Sequence, residues 1–411
     1  MKLKALLLAT AGVAVAGSAS AADLPVVAEP VDYVQVCDAY GAGFFKIPGK
    51  DTCLKIGGRI RTQIVSDNLD DNNDDTKYND YDAIARGYLY LHTMTDTEIG
   101  LIRTVAEMYS EWNEEGGSAM KVDDAFIQIS NNFADVLIGR EASMFDGFTG
   151  AVDIGVVDRN FSDQGTLQFS LTKSLGNGVT AGVSVEDSSY RNGSDNSIDF
   201  VGKIGISQGW GSFSVAGATH AIADEASVRD RSGDAVVVGS DEFTLEKDSS
   251  TGYAVRGTAT INLDMIAPGD AFVFQATYAD SASSYLNASI DSGFAGDLAA
   301  GGVSIDNGML DVIGAKGYSL VAAFSHYWTP EIATTIDGSW MSLEADYDKG
   351  GFAVDADLDR WAVDASIGWY PVSGMVIALD AGFANTEYDP AGADSVDFDE
   401  AKVGARVQYT F

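Results

Sequence analysis

The sequence predicts an all-β chain, a transmembrane antiparallel β-barrel of about sixteen strands with short periplasmic turns and long extracellular loops. Three observations carry that prediction. The last stretch alternates strictly, with Val403, Ala405, Val407, Tyr409 and Phe411 on one face and Lys402, Gly404, Arg406, Gln408 and Thr410 on the other. A soluble domain usually ends in a frayed polar tail. An apolar-faced strand that ends on an aromatic suits a closed barrel, whose last strand must pair with its first and leave no edge. A buried last strand in a secreted β-sandwich is the competing explanation. Tyr409 and Phe411 are accordingly expected to serve as an assembly signal.

The second observation is an alternation of long and short gaps. From Leu54 onward, long polar gaps fall near 66–81, 113–119, 142–164, 188–197, 222–250, 282–316, 344–357 and 387–398. Shorter connections lie between them, at Thr95–Thr97, Asn131–Phe133, Ser174–Gly178, Ser207–Gly211, Leu263–Asp270, Thr329–Glu331 and Pro371–Gly374. Long loops on one rim and short turns on the other are the asymmetry of an outer-membrane barrel, and a sandwich has no reason to show it.

The third is the character of the strand faces. Between Arg360 and Tyr370 one face carries Trp361, Val363, Ala365, Ile367 and Trp369. The two tryptophans are about 26 Å apart along a strand, or about 20 Å along the membrane normal once the strand tilts. That spacing suits two aromatic girdles around an aliphatic band. Tyr318, Leu320, Ala322, Phe324 and Trp328 make a second such face, broken by His326, and Phe272, Phe274, Ala276 and Tyr278 a third.

Residues 1–21 read as a secretory signal peptide. Lys2 and Lys4 precede the apolar run Ala5–Gly17, and Ala19-Ser20-Ala21 is a small-residue cleavage site. No other segment has a long charge-free apolar run, so a membrane crossing would have to be made by strands. Residues 22–53 do not alternate and are expected to form a short periplasmic segment, leaving 54–411 as the barrel. Cys37 and Cys53 are the only cysteines, and in an oxidising compartment a disulfide is the default. In the chain-entropy model a loop of this size contributes roughly 3 kcal/mol.

Twenty-five Lys and Arg stand against 61 Asp and Glu, a formal charge of −36 that repels nucleic acid and excludes it as a partner. The acidic excess concentrates in stretches such as 66–81, read as solvated loop or as a surface that gathers divalent cations. With two distant cysteines and three histidines, the chain offers no metal site, and no cofactor is expected. Gly205-Ile206-Ser207-Gln208-Gly209 has nucleophile-elbow spacing, but a strand rather than a helix follows it. Asp355, Asp357 and Asp359 echo a calcium loop, with Arg360 and Ser366 where Gly and Glu are required. Neither points to catalysis, and the chain is read as a non-enzyme.

The inward-facing charges carry more. Lys55, Arg59 and Arg61 alternate with outward Leu54, Ile56 and Ile60, and the next strands add Arg86 with Tyr88 and Tyr90, then Arg103 with Glu107. Barrel closure brings Lys402 and Arg406 beside them. Lys55, Arg59, Arg61, Arg86, Arg103 and Arg406 thus form one basic wall. The third long gap mixes Met144, Phe145, Phe148, Val152, Ile154, Val156 and Val157 with Asp146, Asp153, Asp158 and Asp163. A loop in solvent has no use for that apolar content, whereas one folded against the inner wall does. An acidic loop facing a basic wall would set a transverse field that favours small polar solutes.

These residues also carry a family likeness. Val31–Phe45 (VDYVQVCDAYGAGFF), Ile47-Pro48-Gly49 and Thr52–Gly58 (TCLKIGG) closely resemble the N-terminal signature of the alphaproteobacterial general porins. Ala125–Ile129 and Gly139-Arg140 to Phe148-Thr149-Gly150 resemble that family's strand pair and the start of its constriction loop. The resemblance implies a homotrimer of sixteen-stranded barrels, each with its own water-filled pore, and makes the third long loop the constriction. It implies passive diffusion of small hydrophilic solutes and ions across the outer membrane. Such a barrel would meet outer-membrane lipids and lipopolysaccharide, and the barrel-insertion machinery during assembly. Acidic loops at the mouth would enrich cations, so weak cation selectivity is expected. Two alternatives are a substrate-selective channel of the same architecture and a secreted acidic surface protein.

Overall fold

Each alternating stretch forms a strand, and sixteen strands close into a single barrel. The computed structural model describes residues 35–69, 81–113, 116–148, 154–191, 196–221, 237–238, 241–242, 251–287, 315–349, 352–390 and 395–411. The barrel strands are β1 (Thr52–Ser66), β2 (Tyr81–Thr97), β3 (Gly100–Asn113), β4 (Lys121–Ser130), β5 (Asp135–Ala142), β6 (Gly165–Gly176), β7 (Val179–Asp187) and β8 (Ile198–Gln208). They continue as β9 (Gly211–Ala221), β10 (Thr251–Asn262), β11 (Ala271–Asp280), β12 (Ala315–Thr329), β13 (Ile332–Lys349), β14 (Phe352–Trp369), β15 (Met375–Pro390) and β16 (Val396–Thr410). Every strand pairs antiparallel with its neighbour in sequence.

Closure is made by β16 against β1, in register from Arg59 opposite Thr410 to Val65 opposite Gly404. Phe411 extends the seam: its N–H donates to the Gly58 carbonyl at 2.9 Å, and the Gly58 N–H to the Phe411 carbonyl at 3.0 Å. The ladder therefore has no open edge, which is the condition for backbone groups to survive in hydrocarbon.

The faces divide as the alternation requires. On β14, Trp361, Val363, Ile367 and Trp369 expose between 43 and 48% of their surface, while Arg360, Ala362, Asp364 and Ser366 expose 5% or less. An apolar face turned outward and a polar face turned inward is the inverse of a soluble core, and lipid is the solvent that stabilises it. The upper aromatic girdle can be followed around the wall by ring contacts: Tyr253 with Tyr278 at 6.2 Å, Tyr318 with Trp340 at 5.6 Å, and Trp361 with Phe383 at 5.3 Å. His326, which interrupts one outward face, is hydrogen-bonded with the Asp270 carboxylate at 2.7 Å and packs edge-on against Trp328.

The short rim has tight turns. Between β6 and β7 the two turn residues Asn177 and Gly178 both have positive φ, the backbone that a two-residue hairpin demands and that Asn-Gly tolerates best. Ser207 is the penultimate residue of β8, and β9 starts at Gly211, so its elbow-like spacing lies between two strands. At the opposite rim two expectations are corrected. The gaps 344–357 and 387–398 were expected to be long loops, yet β13 runs to Lys349 and β14 starts at Phe352, while β15 runs to Pro390 and β16 starts at Val396. Hydrophobic alternation stops where a hairpin leaves the bilayer, but ladder hydrogen bonds do not need apolar side chains to continue. Asp355, Asp357 and Asp359 accordingly lie on β14 rather than in a loop.

Ahead of the barrel, Cys37 and Cys53 are joined in a disulfide. Phe45–Lys46 pairs with the start of β1, and Gly43 lies against the Lys55 side chain. β1 begins at Thr52, before the Leu54 start read from the sequence, so Cys53 belongs to the strand.

Candidate functional site

The third long loop, L3, connects β5 to β6 and lies inside the barrel. Its start is fixed by Glu186 on β7, which is 2% exposed and accepts from Ser143 Oγ at 2.6 Å, the Met144 N–H at 2.9 Å and Ser184 Oγ at 2.6 Å. Three donors converging on one enclosed carboxylate are what keep that charge inside the protein. Asp146 closes the base of the loop, accepting from Ser162 Oγ, from the Gln164 N–H at 2.7 Å and from Arg191 at 3.2 Å. Lys203 on β8 donates to its carbonyl at 3.0 Å.

The far part of the loop is held by β13 to β16. The N–H groups of Ile154 and Gly155 donate to the Asp380 carboxylate at 2.8 and 3.2 Å, and Arg406 donates to the Ile154 carbonyl at 3.0 Å. Arg159 pairs with Asp337 at 3.0 Å, and Asn160 bonds Ser339 and the Arg360 carbonyl. Val156 and Val157 fill space left by two glycines: a Cβ on Gly382 would stand 2.5 Å from Val157, and one on Gly404 would stand 2.7 Å from Val156. Wall and loop are therefore matched in shape. Along this contact the wall supplies two carboxylates and the guanidiniums of Arg360 and Arg406, and the loop supplies amide N–H groups, carbonyls and Arg159. Asp337 and Asp380 are thus compensated by the loop.

The acidic residues singled out in the loop are spread out. Asp146 sits with Arg191, as described. The Asp158 carbonyl accepts from Arg360 at 2.5 Å, and its carboxyl lies near Arg360, Glu400, Lys402 and Arg159. Asp163 lies near Asp146, Arg159, Arg191 and Asp123. Asp158 and Asp163 reach the lumen surface but are enclosed by the barrel, and this desolvation pushes both carboxyls up. Asp153 falls outside the described residues.

Next to β16, on β1 and β2, the structure gathers Arg59, Arg61 and Arg86 around Tyr88. Arg59 Cζ stands 3.9 Å from the ring centroid, Arg61 Cζ 5.6 Å and Arg86 Cζ 5.9 Å. Register causes this, since Arg59 lies opposite Tyr88 and Arg61 opposite Arg86 across the β1–β2 ladder. Arg86 is neutralised by Glu111 on β3 and also donates to the Tyr88 hydroxyl at 3.1 Å. Arg103 is set apart, over Phe126 at 5.3 Å, and Glu107 is hydrogen-bonded with His92 at 2.7 Å. Arg406 donates to Gln63 at 2.8 Å as well as to the loop. Lys55 lies toward the disulfide end of β1, against Gly43.

A second inserted segment escaped the sequence reading. After β11, Ser281–Asn287 turns into the lumen, with Ala282, Ser283, Tyr285 and Leu286 fully buried. The Tyr285 hydroxyl donates to Asp199 on β8, which is also bonded with His220 on β9 at 2.8 Å. The Tyr285 ring meets Phe145 of L3 edge-on at 4.7 Å, Arg191 stacks over it at 4.0 Å, and Asn287 donates to Asn160 at 2.9 Å. L3 is therefore clamped between the wall and this segment. The available signal was Tyr285-Leu286, an apolar pair inside a polar gap.

Comparison with known proteins agrees with this geometry. A family model described as the porin subfamily matches residues 23–411. Porin Omp2b of Brucella suis is 30% identical over 385 residues, which is 85% of this chain and 98% of that protein. Among solved structures, the outer membrane channel DcaP of Acinetobacter baumannii superposes with a TM-score of 0.60 at 14% identity, covering 88% of this chain and 97% of that one. OmpT of Vibrio cholerae gives 0.57 at 11% identity, covering 89 and 99%. With a closed barrel, a loop clamped across its lumen and a match that runs nearly end to end, this chain belongs to the porin subfamily and is an outer-membrane channel.

Proposed function

We propose that the protein is a general diffusion porin, a water-filled pore through which small hydrophilic solutes and ions pass without energy input. One observation carries this reading. L3 is anchored along β7, β8 and β13 to β16, while the arginine face of β1 to β3 keeps partial solvent exposure, as at Arg86 with 24% of its side chain accessible. A loop that crosses a polar lumen and leaves the face of β1 to β3 accessible narrows the lumen without filling it.

The pore constriction is formed by L3 with its acidic residues Asp146, Asp153, Asp158 and Asp163, against Lys55, Arg59, Arg61, Arg86, Arg103 and Arg406. Selectivity is weakly for cations, because acidic loops surround the mouth while charges at the constriction largely compensate each other. Residues 1–21 are a cleaved export signal, and 22–53 form a periplasmic segment that the Cys37–Cys53 bridge ties to β1. The working form is a homotrimer in lipid and lipopolysaccharide, inserted by the barrel-insertion machinery. One structure of OmpT is of a trimer form, and the family likeness extends that assembly here.

Purified protein added to a planar bilayer should give stepwise ohmic conductance in KCl, and liposomes containing it should take up small sugars at rates ordered by size. Absence of conductance from heat-modifiable, correctly folded protein would overturn the reading.

A further inference from the structure

Arg59 and Arg61 have no carboxylate partner among the described residues, in contrast to four other lumen arginines. Arg86 has Glu111, Arg159 has Asp337, Arg191 has Asp146 and Arg360 has Glu400. Among the described residues Arg59 makes no hydrogen bond or ion pair, and its Nε is enclosed without an acceptor. Arg61 uses one donor, Nε to the Gln408 side chain at 3.0 Å, and no carboxylate. Carboxylates are not scarce, since 61 acidic residues face 25 basic ones. An enclosed guanidinium donor left unpaired costs about 1–3 kcal/mol. The ring of Tyr88 offsets part of that through a cation–π contact, on the order of 1 kcal/mol, and a ring face cannot supply an acceptor in the guanidinium plane.

The pair has a fixed geometry. Both side chains leave the same face of β1 two residues apart, with their Cα atoms about 7 Å apart, and both guanidiniums reach the Tyr88 ring. Tyr88 and Tyr109, with centroids 5.4 Å apart, and Tyr90, 6.0 Å from Tyr88, form an aromatic floor beside them. Arg86 and Glu111 close one side as a neutral pair, so the cluster keeps two positive charges from three guanidiniums and one carboxylate.

We propose that Arg59 and Arg61, on the floor of Tyr88, Tyr90 and Tyr109, form a binding site for small organic dicarboxylates in transit through the pore. A guanidinium fork matches a carboxylate bidentately, and two forks on one strand face match two carboxylates on one short carbon chain. Tyr90 and Tyr109, which keep partial exposure beside the buried Tyr88, receive the apolar stem of the ligand. The site is compatible with a preference for small cations: the far field of the mouth sets which ion is enriched, and short-range donors set which solute lingers. It rests on the reading of the protein as an open pore and makes that pore partly substrate-selective.

The test is single-channel recording in KCl with glutarate on one side, at constant ionic strength, with acetate and inorganic phosphate as comparisons. Glutarate should interrupt the current in a concentration-dependent way, acetate should not, and phosphate should do so more weakly because one tetrahedral anion cannot span both forks. Arg59→Gln and Arg61→Gln should each weaken glutarate block about tenfold, the loss of one charge-assisted bidentate contact. Arg59→Lys keeps the charge without the fork and should also weaken it, while Lys173→Gln, at the short rim beside the Phe133 carbonyl, should leave it unchanged. Heat-modifiable migration and insertion of conducting channels by each variant show that the barrel has folded. Glutarate block no stronger than that of acetate, stronger block by phosphate, or equal block in the wild type and both Gln variants would each overturn the site while leaving the porin reading intact. Loss of KCl conductance in the wild type would overturn the porin reading instead.

Discussion

The hydroxyl of Tyr285 donates to the carboxylate of Asp199 at 2.8 Å, joining a loop residue to the barrel wall inside the lumen. Asp199 also accepts from the Ala221 N–H at 3.0 Å and is bonded with His220, so one carboxylate organises β8, β9 and the inserted segment together. Phe145 packs against the same tyrosine ring, and through it the position of L3 depends on this contact.

Removing that tyrosine should loosen the constriction. Tyr285→Phe keeps the ring and loses one hydrogen bond, costing about 1 kcal/mol, whereas Tyr285→Ala also opens a cavity and costs about 3–5 kcal/mol. Single-channel recordings of Tyr285→Ala should show noisier current with more frequent brief closures, and Tyr285→Phe should lie between it and the wild type. Quiet, unchanged recordings from the Ala variant would mean that Phe145 and L3 are held without it.

Ion preference should be weakly cationic and should fade as salt is raised, because the field of the acidic loops is screened within ~8 Å at physiological salt. Reversal potentials in a KCl gradient measure this, and anion preference at low salt would contradict it. Neutralising both Arg59 and Arg61 to Gln should raise the cation preference, since neither charge has a carboxylate partner among the described residues. No change would mean that these two arginines lie away from the narrowest point.

The same preference should depend on pH. Enclosure raises the carboxyls of Asp158 and Asp163, reinforced at Asp163 by Asp146 and opposed at Asp158 by Arg360. A raised carboxyl takes its proton at higher pH, so negative charge in the lumen is lost on acidification before pH falls to the usual aspartate value of about 4. Cation preference should therefore begin to decline above that value. Asp158→Asn with Asp163→Asn should flatten the decline; a decline of full size in that variant would assign it to other groups.

The Cys37–Cys53 bridge precedes the pore, so its loss should reduce assembly more than conductance. Exported wild-type protein should show no free thiol after denaturation without reductant. In the Cys37→Ser, Cys53→Ser variant the amount of folded barrel should fall while the unit conductance of surviving channels stays the same. A changed unit conductance would place the segment inside the pore.

Deleting Phe411 removes both hydrogen bonds to Gly58 and the ring lying over it. The shortened chain, or one with a short polar tail added, should be exported but remain in the periplasm. Normal surface levels of the Phe411-deleted chain would refute a role in assembly.

Strand number, facing and closure were legible in the sequence because each depends on local pattern. Period-two alternation decides which side of β14 meets lipid, and an apolar face running to Phe411 signals a last strand that pairs with the first. Lys55, Arg59, Arg61, Arg86 and Arg103 could be placed inward for the same reason. The extent of β13 to β16 beyond the bilayer was not legible, because a ladder above the membrane is held by backbone bonds and leaves no hydrophobic pattern. The inward turn of Ser281–Asn287, the pairing of Arg159 with Asp337 and the fit of Val156 and Val157 over Gly404 and Gly382 were decided only by the tertiary structure. Those contacts join residues distant in sequence through complementary shape and charge. Alternation along one strand fixes a side chain's direction, but its partner across the lumen depends on where the whole barrel puts the opposite wall.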